Sequence, residues 1–79
     1  MIVMKNIARN NKQIVCEAYI EDCSEKMELT FDEQTAAFAP YVLPKGYEWC
    51  EGHIAHALRY LKTLIGKDFE THDRTIMWY

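Results

Sequence analysis

Cysteine and histidine recur at three-residue intervals in Cys50-x-x-His53-x-x-His56, and Trp49 and Tyr60 flank that run. Thiolate and imidazole are the usual zinc ligands, and a thiol beside an imidazole is the usual nucleophile pair. On a helix advancing about 100° per residue, Cys50 lies about 60° from His53 and about 120° from His56. Neighbours three apart can share one metal, but three ligands from one helix are strained. A structural zinc takes four ligands in tetrahedral array, normally from two segments with paired spacing. Cys16, Cys23 and His72 are the remaining candidates, and no CxxC or HxxxH pair accompanies them. The pattern therefore predicts no metal and no cofactor, with cysteine acting as a small buried hydrophobe. A Cys50–His53 nucleophile pair would need partial exposure and an electropositive setting, whereas Cys50 belongs to the apolar stripe beside Glu48 and Glu51. No phosphate-binding glycine loop, GxSxG or HExxH is present, and no catalytic residue is predicted.

The helix that must carry these residues runs from Tyr47 to Ile65 by its periodicity. Cys50, Ile54, Ala57, Leu58, Leu61, Leu64 and Ile65 make one apolar stripe; Glu51, Ala55, Arg59 and Lys62 make a solvated sector. Between them Trp49, His53, His56 and Tyr60 follow one another at intervals of 4, 3 and 4. Glu48 and Glu51 suit the positive end of the helix dipole, and Gly66 is a natural stop, although no Ser, Thr, Asp or Asn caps the start.

Ahead of the helix the period is two. "MIVMKNIA", "QIVCEAYIE" and "KMELTF" read as strands, with Asn10 to Lys12 and "EDCSE" as turns. "FAPYVL" reads as a further strand, confined to an edge or bulged by Pro40. "KDFETHDR" reads as loop. The closing "TIMWY" either adds an edge strand or folds over the helix flank, with Ile76 and Trp78 beside Trp49 and Tyr60. The expected fold is α+β in a single domain over residues 1–79: an antiparallel meander of three to four strands, with one long helix in the C-terminal half packed on one face.

Composition narrows the partners. A chain of 79 residues with 49% hydrophobic and 27% charged residues is globular rather than disordered. Its net charge of −3 provides no basic face for phosphate, so no direct nucleic-acid partner is expected. Three irregularly spaced cysteines do not make a disulfide scaffold. With no apolar run resembling a secretory signal or a membrane span, the expected setting is the cytoplasm, with free thiols.

"LPKGYEWCEGHIAHALRYL" and the terminal "TIMWY" resemble a group of short, uncharacterised proteins of mobile or conjugative elements in Gram-positive gut bacteria. Pro44, Gly46, Tyr47, Cys50, His53, His56 and Thr75 to Tyr79 carry the likeness. It implies an accessory protein that regulates transfer or blocks a host defence, and it brings no catalytic residues. The combined expectation is a non-catalytic protein-binding module whose contact residues are Trp49, His53, His56, Tyr60, Trp78 and Tyr79, facing a protein partner or a second copy. Two alternatives stand beside it. One is a metal-binding or redox module using Cys50, His53 and His56 with Cys16 or Cys23. The other is an acidic inhibitor that mimics nucleic acid through Glu17, Glu21, Asp22, Glu28, Asp32 and Glu33.

Overall fold

Alternation of apolar and polar residues threads the chain through five antiparallel strands. They are β1 (Ile2–Asn10), β2 (Gln13–Ile20), β3 (Met27–Asp32), β4 (Ala37–Phe38) and β5 (His72–Ile76), in the spatial order β4-β3-β2-β1-β5. The first four form a meander, and the last returns to lie against β1. Among the described residues a single helix, α1 (Glu51–Lys62), covers one face, so the α+β architecture follows the expectation with one strand more. The structure is a computed structural model that describes residues 1–78. No helix among them is long and apolar enough to cross a membrane.

The core lies between α1 and the sheet. Ile14, Cys16, Ala18 and Ile20 of β2 and Met27, Leu29 and Phe31 of β3 point into it, meeting Cys50, Ile54, Ala57 and Leu61 from the helix. Strand β1 contributes Ile2, Met4 and Ile7, a spacing that breaks the period of two. A bulge resolves the mismatch. Register shifts between Lys5 and Ala8 against β2, and between Met4 and Ile7 against β5. Asn6 sits at its centre with φ of 56°, a left-handed conformation that asparagine tolerates better than most residues. The amide of Asn6 donates to Asp73 Oδ1 at 2.9 Å, which satisfies the group that the bulge removes from the ladder.

Three expectations need correction. The strand predicted over "FAPYVL" is only the pair Ala37–Phe38, because Pro40 has no N–H to continue the ladder and the chain turns away there. The helix is shorter than Tyr47–Ile65: tight turns replace it at both ends, with Cys50 N–H donating to Tyr47 O at 3.0 Å and Leu64 N–H to Leu61 O at 3.0 Å. Without a side-chain cap at Cys50 the first turn does not extend backwards, and Gly66 at φ 72° ends the other side. The polar "KDFETHDR" is not all loop, since β5 begins at His72.

Two carbonyls of the turns that follow α1 are collected by one side chain. Arg9 donates to Lys67 O at 2.8 Å and Leu64 O at 3.0 Å, lies over the Phe69 ring at 4.8 Å, and grips Glu33 through Nε at 2.6 Å and Nη2 at 3.0 Å. The Arg9 hydrogen bonds hold the Glu33 carboxyl below its ordinary value, with the Gly66 N–H adding to the effect and desolvation opposing it. A depressed carboxylate contributes stability above its unfolded pKa of about 4.3 and loses it as pH falls through the folded value. Thermal unfolding between about pH 5 and pH 2 should therefore show a flatter acid limb for Glu33→Gln than for the unaltered chain, with the two converging at the acid end. Identical slopes would mean that the clasp adds nothing.

Candidate functional site

The helical stripe Trp49, His53, His56, Tyr60 meets a second stripe that follows the strand period. On β5 and just beyond it, His72, Arg74, Ile76 and Trp78 alternate, and three of them touch the helical stripe in reverse order. The Tyr60 hydroxyl and His72 Nε2 are 2.7 Å apart, and Arg74 lies over the Tyr60 ring at 4.9 Å. Trp78 stacks on His56, with centroids 4.0 Å apart and planes 13° off parallel, and meets His53 edge-on at 4.7 Å. Ile76 packs into the core beside Ile2, its partner in the sheet. Through Trp78, "TIMWY" is edge strand first and cover second, but the cover falls on His56 and His53 rather than on Trp49 and Tyr60 as expected.

Hydrogen-bond roles within this seam are set by chemistry. His72 Nδ1 lies 2.7 Å from Glu70 O, and a carbonyl only accepts, so Nδ1 carries the proton. In the neutral ring Nε2 then accepts from the Tyr60 hydroxyl. Phe69 closes against His72 edge-on at 5.4 Å. Tyr60 and His72 therefore tie α1 to β5, and Arg9 extends the same cluster through Phe69.

His53 is buried, 7% exposed, and its Nε2 lies 2.7 Å from Glu21 Oε1. That carboxylate also takes the amine of Met1 at 3.0 Å. The position is sound electrostatically, because a buried imidazole needs a partner in either protonation state. Trp49 differs from its neighbours. It is 68% exposed, yet its indole N–H donates to Gly46 O at 3.2 Å and its ring meets His53 edge-on at 5.7 Å. Gly46 can place its carbonyl there because its φ of 88° is open to glycine.

Of the six expected contact residues, Trp49 stands at the surface, His56, Tyr60 and Trp78 are half-buried, and His53 is interior. Tyr79 lies outside the described residues. Cys50 is wholly buried, and burial, followed by the charge of Glu21, pushes its thiol up, away from the thiolate form. Cys16 is pushed up to about 12 by burial. Among the described residues no three His, Cys, Asp or Glu side chains converge as a metal site would require. Cys50 points into the core, His53 is engaged by Glu21, and His56 lies under Trp78.

The acidic residues do not assemble into one stripe. Glu21 serves His53, Asp22 accepts from the Tyr47 hydroxyl at 2.7 Å, Asp32 accepts from the Gln34 amide at 2.8 Å, and Glu33 serves Arg9. Only Glu17 and Glu28 stand together, directly opposite across β2 and β3, with Lys26 3.9 Å from each.

Residues that sequence reasoning missed are Arg9, Glu33, Phe69 and Arg74, all part of the clasp and seam. The available signal was the alternation His72, Arg74, Ile76, Trp78, whose polar members present aliphatic or ring surface to the helix. Comparison with protein-family models, curated proteins and solved structures finds no match.

Proposed function

We propose that this is a small, non-catalytic accessory or regulatory module that binds a partner protein through the aromatic flank at the start of α1. Trp49 is the observation that carries the reading. An exposed tryptophan held by a hydrogen bond and a ring contact offers large area for desolvation and little entropy to lose. Half-buried Trp78 and His56 beside it supply the rim, and the part-buried His53–Glu21 pair fixes the floor. In this reading His53 positions the surface and makes no direct contact. Surface grooves of about 340 and 420 Å³ lie elsewhere, along β2–β3 and beside the start of β3, and neither is lined by Trp49, His56 or Trp78. The setting proposed for the partner is the machinery of a host or of a mobile element.

A photo-crosslinking residue placed at the exposed Gly52, three residues after Trp49 and one turn before His56, tests this in cells of a natural host. The expected result is one discrete protein adduct that falls at least about tenfold in the Trp49→Ala background, as loss of about 1.4 kcal/mol at a hot spot would require. An adduct insensitive to Trp49→Ala, or no adduct, contradicts the reading.

A further inference from the structure

A different surface carries a second interaction. Strand β4 covers only the end of the β3 edge. Phe31 pairs with Phe38, Asp32 with Ala37, and the Ala39 amide donates to Thr30 O at 2.8 Å; there the ladder stops. Had it continued in the same register, residue 41 would face Glu28. Pro40 diverts the chain instead, and Tyr41 leaves to pack edge-on against Phe38 at 6.0 Å and donate to Glu51 at 2.6 Å. In an antiparallel strand, backbone N–H and C=O groups point to alternate sides. Thr30 and Asp32 use theirs towards β4, so those of Glu28 point the same way, and no strand among the described residues stands across from them. Alongside this open edge lies a groove of about 420 Å³, whose apolar wall is Met27 on β3 with Val42, Leu43 and Pro44 of the diverted segment, and whose remaining lining is the charged Glu25, Lys26, Lys45 and Glu48. Val42, an aliphatic side chain, is 87% exposed there.

We infer that this edge of β3 is a strand-addition site for an extended segment of a partner protein, with the residue pattern apolar–basic–apolar. Open backbone groups call for another extended backbone, because only a strand matches their direction and spacing. The pattern follows from the two faces. A residue placed directly opposite Glu28 lies on the face away from α1, where the cross-strand row already reads Lys5, Glu17, Glu28. Glu17 and Glu28 are like charges in direct opposition, an unfavourable pair that Lys26 relieves only at 3.9 Å from each. Lysine or arginine at that position sets a positive charge against Glu28 and offsets the like-charged pair. Its two neighbours point to the opposite face, into the groove walled by Met27, Leu43 and Pro44, and apolar side chains fit there. A second copy of this chain is a poor occupant. Pairing two β3 edges across a two-fold axis at Glu28 sets Glu28 against Glu28 and drives each copy's β4 into the other.

The test uses two synthetic peptides, Val-Lys-Val-Thr and Val-Glu-Val-Thr, which stop short of Thr30 because Ala39 already occupies its carbonyl, titrated into the ¹⁵N-labelled full chain. The expected result is saturable shifts confined to Lys26 to Glu28 and Val42 to Lys45, slowed exchange of the Glu28 amide, and about fivefold weaker binding of the acidic peptide, the span between attractive and repulsive cross-strand pairs. Glu28→Lys, at a side chain 79% exposed and therefore harmless to folding, should reverse that preference. Equal response to both peptides, or shifts elsewhere, overturns the proposal. A concentration-dependent dimer that protects Glu28 without peptide also overturns it, by assigning the edge to a second copy. Trp49→Ala should leave these titrations unchanged, which separates this edge from the helix flank.

Discussion

Replacing Trp78 by alanine is expected to cost about 2–3 kcal/mol of folding stability, somewhat less than the roughly 3–5 kcal/mol of a fully buried aromatic truncation. The ring is half-buried, stacked on His56 and edge-on to His53, and no other described side chain is placed to take over both contacts. Its loss also opens the buried His53 ring, and its contact with Glu21, to water. For 79 residues, total stability is on the order of 4–12 kcal/mol, so this one change removes a large share. In a domain of this size each kcal/mol is worth about 4–8 °C, which puts the expected fall in melting temperature at about 10–20 °C. Thermal unfolding followed by far-ultraviolet circular dichroism measures it. A fall under about 3 °C would mean that the C-terminal segment merely rests on the helix, and the seam would lose its structural role.

Asn6→Val should cost about 1–3 kcal/mol without removing any core contact. A β-branched side chain is strongly disfavoured at φ 56°, so valine must either bear the strain or flatten the bulge. Flattening is worse. It slips the register by one and turns Ile7 out of the core, with the Arg9 clasp displaced as well. Asn6→Gly is the control, since glycine accepts positive φ, and it should stay within about 0.5 kcal/mol of the unaltered chain. Urea unfolding of both variants decides between conformational strain and a packing effect. If glycine were as damaging as valine, the asparagine side chain rather than the backbone angle would be what matters.

That bulge shows where sequence reading stops. The α+β class, the first three strands and the face of α1 that enters the core all follow from periodicity, because burial rewards it directly in β2, β3 and the helix. Ile2, Met4 and Ile7 follow neither period, and only the ladder reveals the inserted residue. The first three residues of β5 were hidden for another reason. His72, Asp73 and Arg74 are polar by type, yet His72 offers a ring edge to Phe69 and Arg74 a flat cation to Tyr60, so they pack as a strand face without looking apolar. The stripe Trp49, His53, His56, Tyr60 was legible as unusual. Its division into a covered part and an open part was not, since that depends on where Trp78 lands. Arg9, far from Leu64 and Lys67 in sequence, carries no local sign that it will collect their carbonyls.

The account rests on Trp49 and Trp78 having opposite roles on one flank: Trp78 closes the fold, and Trp49 is held ready outside it. Urea denaturation of Trp49→Ala beside Trp78→Ala tests that division most directly. The prediction is a Trp49→Ala midpoint within about 0.5 kcal/mol of the unaltered chain, as for an exposed side chain, with Trp78→Ala lower by about 2–3 kcal/mol. A loss of about 2 kcal/mol or more in Trp49→Ala would contradict this division, because it would make the exposed indole part of the core and remove the surface on which the proposed binding depends.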